Sequence, residues 1–438
     1  MEDLRESLKV RKERAVLMGA ELRLDADGDE LAELTALAES AGAVVAGRFQ
    51  QKLKNINPRT YIGKGKAEQL AERVSLCKAD VVIFDNDLSP HQIGELEKIV
   101  QVKVLDRSEL ILDIFATRAK SRQAKLQVEL AQLEYTYPRL TRMWSHLDNI
   151  AGAGGATTAG VVGGIGTRGT GEKQLEIDRR LVNKRITELK RQLAAIDNRR
   201  VREIAGREGR FKICLVGYTN AGKSTLLNKL TSSSESVEDR LFATLDTRTR
   251  QWSICGGAKI LLSDTVGFVR KLPHQLVASF KATLEEAVNA DLLIHVADVS
   301  NAVVLRQIES VKSVIKEIGC QAKPVLLVLN KIDAVSDICQ LEMLETLFAD
   351  AVAISAKNGS GLERLEEAVI KEYKGNEVLL RVGSYQSNGK VQSFLRAHSR
   401  IVEERYLDSY VLIDAVLGKK QLPLLKKLHP STLEIMQS

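Results

Sequence analysis

The sequence predicts an α/β chain of four parts, and three observations carry that prediction. Strand-like and helix-like apolar runs alternate through the first hundred residues, a glycine-rich phosphate-loop pattern follows a β-type run near position 217, and leucines recur in steps of four and three on both sides of a glycine-rich stretch. Short apolar strands alternating with amphipathic helices build a sheet, mostly parallel, with helices laid on it.

The first part, residues 1–112, is strand-like at 15–22, 43–49, 80–84 and 102–105 and helix-like at 31–41, 65–79 and 90–100, which predicts a small α/β domain. Its Gly63-Lys64-Gly65-Lys66 run lacks phosphate-loop spacing and is expected as a turn. The second part, residues 113–208, carries one seam through Leu126, Leu130, Leu133, Tyr137, Leu140, Trp144 and Leu147, and another through Val182, Ile186, Leu189, Leu193 and Ile196. Matching seams predict a long antiparallel helical hairpin, with a kink or break at Pro138 and a glycine-rich tip at 150–171. Between Arg118 and Lys212 stand twenty Lys or Arg against ten Asp or Glu, a net of +10 in a chain whose total is +7, so the remainder is slightly acidic. A basic, elongated arm points to the phosphate backbone of RNA, with no DNA partner expected.

The third part, residues 209–374, holds the chemistry. Phe211 to Val216 is a β-type run, and it leads into Gly217-Tyr218-Thr219-Asn220-Ala221-Gly222-Lys223-Ser224, with Thr225 opening a helical run. Gly217 and Gly222 allow backbone N–H groups to turn onto phosphates, and the helix N-terminus adds its positive dipole end. Lys223 is placed to neutralise the β- and γ-phosphates and the Ser224 hydroxyl to hold Mg²⁺. Asp264 ends another apolar run, where it is placed to hold Mg²⁺ through water, and Gly267 follows with an N–H for the γ-phosphate. The Thr-rich stretch from Leu241 to Arg250 is the expected first switch, and Thr244 is the first candidate for the Mg²⁺ shell, ahead of Thr247 and Thr249. Lys223, Thr244 and Gly267 are thus the expected catalytic residues.

The base is chosen by Asn330-Lys331-Ile332-Asp333. An Asp carboxylate accepts from both the ring N–H and the exocyclic amino group of guanine, and adenine offers neither donor in that geometry. Ser355-Ala356-Lys357 completes the set, so GTP and GDP with Mg²⁺ are the expected ligands. Asn220 offers a carbonyl oxygen to the nucleotide or to a monovalent cation bridging the phosphates. Phe268 stands where a Gln would orient the attacking water. An apolar ring cannot do so, which predicts slow intrinsic hydrolysis with help from a partner or from elsewhere in the chain.

The fourth part, residues 375–438, reads as a small α+β domain with strands at 377–383 and 406–416 around a helix at 391–397. Across all 438 residues, 44% are apolar and 28% charged, which describes a globular protein of several domains. No run approaches the length of a membrane span, so a cytoplasmic location is expected and a membrane-transport GTPase is not. Five scattered cysteines form no CxxC pair, so neither a zinc site nor a disulfide framework is expected.

With these motifs in place the chain resembles the HflX-type ribosome-associated GTPases, a branch of the Obg-like P-loop GTPases. The resemblance runs through Thr60 to Gly65, Asp106-Arg107, the helical run 122–140, Gly164 to Glu172, Leu241 to Arg250 and Asp264 to Leu276. The family pattern has Pro where this chain has Thr170, and Pro-Thr where it has Thr247-Arg248. The resemblance implies a factor that binds GTP and the large ribosomal subunit, contacts ribosomal RNA near the peptidyl-transferase region through its first domain and arm, hydrolyses GTP on ribosomal stimulation, and dissociates stalled or idle ribosomes. An arm that enters a narrow RNA tunnel implies a monomer. A GTP-dependent ribosome-assembly or RNA-remodelling factor, and a GTP-gated scaffold that splits nothing, are the alternatives.

Overall fold

The computed structural model describes residues 12–21, 31–139, 170–205, 210–233, 241–242, 247–254, 259–270, 286–335, 337–375, 377–407 and 409–436, and three sheets follow one another along them. The first holds β1 (Arg14–Glu21), β2 (Val44–Lys52), β3 (Val81–Phe84) and β4 (Lys103–Asp106) in the order β2-β1-β3-β4, all parallel. Its helices are α1 (Ala32–Ser40), α2 (Lys64–Cys77), α3 (Pro90–Val100) and α4 (Arg107–Arg118). Helices on both faces explain why β3 is apolar throughout rather than alternating. The α3 start is written in sequence: Ser89 and Gln92 form a reciprocal capping box and Pro90 takes the first turn.

Two expectations change here. The Gly63 to Lys66 run is not a free turn but the first turn of α2, with Gly63 as its cap. Helix α4 lies outside the expected elements, because Leu110, Ile111, Leu112, Ile114 and Phe115 are all buried and leave only a narrow exposed stripe through Asp113, Ala116 and Thr117. The Asp106 side chain caps it, accepting from the Glu109 N–H at 2.9 Å.

The arm grows out of this domain. Helix α5 (Arg122–Thr136) starts at the Ser121 cap and gives way to a tight turn at Tyr137–Arg139, where Pro138 cannot continue the ladder. Ala124, Val128 and Ala131 root it in the N-terminal core beside Phe115. Its other face meets α6 (Thr170–Ala205) along Leu126, Leu130, Leu133, Ile186, Leu189, Leu193 and Ile196. Ion pairs Arg185–Glu129 (2.7 Å) and Lys190–Glu134 (2.8 Å) flank that seam. The expected seam positions Leu140, Trp144 and Leu147, and the glycine-rich stretch up to residue 169, lie outside the described residues.

The second sheet orders β5 (Lys212–Gly217), β6 (Arg248–Ser253), β7 (Lys259–Asp264), β8 (Leu292–Asp298), β9 (Val325–Asn330) and β10 (Val352–Ala353) as β10-β9-β8-β5-β7-β6. Only β6 runs antiparallel, to β7. Helices α7 (Lys223–Thr231), α8 (Val304–Glu317), α9 (Ile338–Leu347) and α10 (Leu362–Gly375) belong to this domain.

The last sheet is antiparallel. It combines β11 (Glu377–Tyr385), α11 (Gly389–His398), β12 (Arg400–Leu407), β13 (Tyr410–Gly418), α12 (Leu422–Lys427) and β14 (Thr432–Met436) in the strand order β12-β13-β11-β14. The single strand expected over 406–416 is in fact a hairpin: Leu407 pairs with Tyr410, so the chain reverses between them. A tight turn inside a run of β-formers carries little sequence signal when it lacks Gly or Pro.

Candidate nucleotide site and its contact with the N-terminal domain

The phosphate loop joins β5 to α7, and its conformation explains its glycines. Gly222 has φ +92°, and a Cβ there would overlap the Asn330 side-chain amide. Lys223 is buried and donates from Nζ to the carbonyls of Gly217 (3.1 Å) and Tyr218 (2.8 Å), which aims it across the loop. The Ser224 hydroxyl donates to Asp264 Oδ2 at 2.6 Å, so the two residues expected to hold Mg²⁺ are neighbours. Asn220 is exposed on the loop at φ +61°, and Thr219, Ala221 and Thr225 line the same turn and helix start.

Burial sets the electrostatics. It pulls the Lys223 ammonium down to about 8, with Asp264 opposing, and it pushes the Asp264 carboxyl up, with Lys223 and the Ser224 hydroxyl opposing. Among the described residues, Asp264 Oδ1 and Thr219 Oγ1 are buried with no hydrogen-bond partner. Orphaned oxygens beside a buried ammonium fit a phosphate and a divalent cation, which would supply the missing charge and coordination. The residues therefore fit a Mg²⁺-nucleotide.

The guanine side is built from β9 and the turn after β10. Asn330 is buried, donates to the Ala221 carbonyl at 2.8 Å and accepts from the Ala356 N–H at 2.9 Å, tying the phosphate loop to the Ser355-Ala356 turn. The Ser355 hydroxyl donates to Asp333 Oδ1 at 2.5 Å and accepts from the Asn358 N–H. Asp333 itself is exposed, its carboxylate held in place from behind. Lys331 takes a left-handed backbone (φ +68°) and reaches Asp298 at 2.8 Å, while Lys357 is exposed beside the turn.

Of the switch candidates, Thr244 lies outside the described residues. Thr247 precedes β6, and Thr249 on β6 shares a hydrogen bond of 2.9 Å with Ser263 of β7. Gly267 lies against Thr219 and Lys223: an added Cβ would come within 2.7 Å of Thr219 Cα and 3.0 Å of Lys223 Nζ. Phe268 is buried among Tyr218, Ala287 and Leu293, and its backbone bridges the loop, accepting from Thr219 N–H (2.7 Å) and donating to the Gly217 carbonyl (3.1 Å).

Sequence inspection did not anticipate what holds this segment from the other side. Tyr218 OH donates to Glu33 Oε2 of α1 at 2.7 Å, and the Arg270 N–H donates to both Tyr218 OH (2.7 Å) and Glu33 Oε1 (3.2 Å). Glu33 also accepts from Arg107 (2.5 Å), which pairs in turn with Asp85 (2.5 Å), and the Arg270 guanidinium points at Asp85 and Glu21. Glu21 ends β1 and Asp85 follows β3, so these carboxylates mark the crevice where the first sheet reverses its strand order. Leu241, Phe242, Val266 and Val269 join the N-terminal core as well, with Phe242 edge-on to Phe115 at 4.5 Å.

A phosphate loop, a buried Asp-Ser pair for a divalent cation and a guanine-selecting carboxylate on one parallel sheet make this a P-loop GTPase. Family models agree part by part: residues 28–116 match "GTP-binding GTPase N-terminal", 118–207 "GTP-binding GTPase Middle Region" and 212–331 "50S ribosome-binding GTPase". The "GTPase HflX" of Lacrimispora saccharolytica is 42% identical over 93% of this chain and 94% of its own length, and that of Escherichia coli is 42% identical over 83% of each. A GTP-binding protein from Sulfolobus solfataricus, solved with GDP, is 27% identical and covers 82% of this chain and 98% of its own, at a TM-score of 0.42. The chain belongs to the HflX family of GTPases, binds guanine nucleotide and hydrolyses GTP.

Proposed function

We propose that this GTPase binds the large ribosomal subunit through ribosomal RNA and dissociates stalled or idle ribosomes into subunits. The match of residues 212–331 to a ribosome-binding GTPase domain supports the partner. The observation that carries the mechanism is the bonding of Tyr218 and Arg270 to Glu33: a change at the γ-phosphate is felt by the domain in which the basic arm is rooted. In the GTP form the switches fix the first domain and arm in a pose incompatible with joined subunits, and hydrolysis releases the factor. GTP binding, rather than hydrolysis, supplies the splitting energy as a difference of affinities.

The four parts act at 1–112, 113–208, 209–374 and 375–438. Gly217 to Thr225, Gly267, Asn330, Lys331, Asp333, Ser355, Ala356 and Lys357 hold the nucleotide; Ser224, Asp264 and Thr244 hold Mg²⁺; and Asn220 takes a monovalent cation. Because Phe268 is buried and apolar, intrinsic turnover is slow and the ribosome supplies the missing group. The protein works as a cytoplasmic monomer; among the described residues no helix is long and apolar enough to cross a membrane.

GTP turnover with and without purified large subunits, beside sedimentation of intact ribosomes with a non-hydrolysable GTP analogue, tests this. Strong stimulation with subunit release is expected. Stimulation without release would move the protein to ribosome assembly, and neither binding nor stimulation would leave a GTP-gated scaffold.

A further inference from the structure

Glu33 lies far from the phosphate loop in sequence, yet its two carboxylate oxygens serve both halves of the phosphate site. Oε2 accepts a hydrogen bond from Tyr218 OH, in the second position of the loop, and Oε1 accepts one from the N–H of Arg270, two residues beyond Phe268. The Tyr218 oxygen accepts from the same N–H, closing a three-membered ring of hydrogen bonds between α1, the loop and the segment Asp264 to Arg270. The ring is sheltered: Tyr218 is 6% exposed and Arg107, which fixes Glu33 from behind, is 1% exposed. Burial and the Glu33 carboxylate push the Tyr218 phenol well above its usual range, so it stays a donor at every physiological pH.

The ring matters because of where it holds Gly267. With a Cβ position 3.0 Å from Lys223 Nζ and 2.7 Å from Thr219 Cα, Gly267 is packed close against the loop and the ammonium that a γ-phosphate has to reach. Seating a third phosphate therefore requires the Phe268 bridge to the loop to open, which drags on Arg270. A diphosphate requires no such opening.

We infer that Glu33 is a positioning residue of the GTPase site, which through Tyr218 and Arg270 holds the Asp264 to Arg270 segment down on the phosphate loop and so sets the preference between GDP and GTP. By reciprocity, GTP weakens this Glu33-bonded seating by the factor that Glu33 weakens GTP, so the pose fixed in the GTP form is a different one. Only nucleotide binding by the full chain is needed for this role, so it stands or falls apart from ribosome splitting.

The test is the ratio of dissociation constants for GDP and a non-hydrolysable GTP analogue, measured on the full chain for Glu33→Ala, Tyr218→Phe and the double variant. Tyr218→Phe keeps the ring and removes only the hydroxyl, so it preserves packing if Glu33→Ala disturbs it. Each single variant is expected to shift the ratio toward the triphosphate by about tenfold, the worth of one charge-assisted hydrogen bond. The double variant is expected to match the singles, because both remove one ring. An unchanged ratio, an equal loss of both nucleotides, or additive effects would each overturn the assignment.

Discussion

The two sides of the nucleotide site are held in different ways. The guanine side is self-contained: Asn330, Asp333, Ser355 and Ala356 bond to one another and to Ala221, all within one domain. The phosphate side is shared, because Tyr218 and Arg270 bond to Glu33 of the N-terminal domain, and Phe242 and Val266 join its core beside Phe115. A base never changes during turnover, so its site gains from rigidity. The γ-phosphate comes and goes, and in the proposed mechanism the domain that responds is the one bonded to Tyr218 and Arg270.

The largest break in this comparison lies on the guanine side. Asp333→Asn replaces an acceptor for two guanine donors by an amide with one acceptor and one opposing N–H donor, and is expected to weaken GTP by about a thousandfold, since a mismatched donor pair discriminates strongly. Nucleotide titration should show the loss recovered with xanthosine triphosphate, while the N-terminal contact is untouched; GTP affinity within tenfold of the parent would contradict this. On the phosphate side, Phe242→Ala removes a ring that is 2% exposed and packed on Phe115. Denaturant unfolding should lose about 3 kcal/mol, and a loss under about 1 kcal/mol would mean the shared core contributes little.

Gly222→Ala strikes the point where the sides meet, with φ +92° and Asn330 in the way. GTP turnover is expected to fall about a hundredfold, as for a misplacement near 1 Å. The smallest effect is acid sensitivity. His295 on β8 is pulled by burial down to about 3 from an ordinary 6.5. Its folded value is depressed, so the unfolded chain takes up the proton first: stability from this group is complete above pH 6.5 and is lost as pH falls toward 3. At pH 5 the loss is about 2 kcal/mol. The steep fall in unfolding midpoint between pH 7 and pH 5 should flatten in His295→Leu and persist in Glu33→Ala, because His295 belongs to the GTPase domain alone.

The same contrast governs what the sequence discloses. Gly217 to Ser224, Asn330 to Asp333 and Ser355 to Lys357 are contiguous runs whose spacing encodes their geometry, and the strands of the first sheet announce themselves by apolar alternation with helices. Glu33, Asp85, Arg107 and Arg270 come together through bonds that span 74, 185 and 237 positions, and a single Glu in an amphipathic helix looks like any solvated charge. Arg107 and Arg270 lie in runs that carry the family resemblance, Asp106-Arg107 and Asp264 to Leu276, but neither run says which carboxylate they meet. Helix α4 and the Leu407–Tyr410 reversal are faint in sequence for a related reason: one exposes only a narrow stripe and the other turns without Gly or Pro.

The most direct test of a phosphate side shared with the N-terminal domain is amide hydrogen exchange on the full chain, loaded with GDP or with a non-hydrolysable GTP analogue. The triphosphate should raise exchange in α1 and at the start of α4, around Glu33 and Arg107, and leave the β11–β14 sheet unchanged. Identical exchange in α1 and α4 for the two nucleotides would show that the N-terminal domain does not sense the γ-phosphate, and would contradict the account.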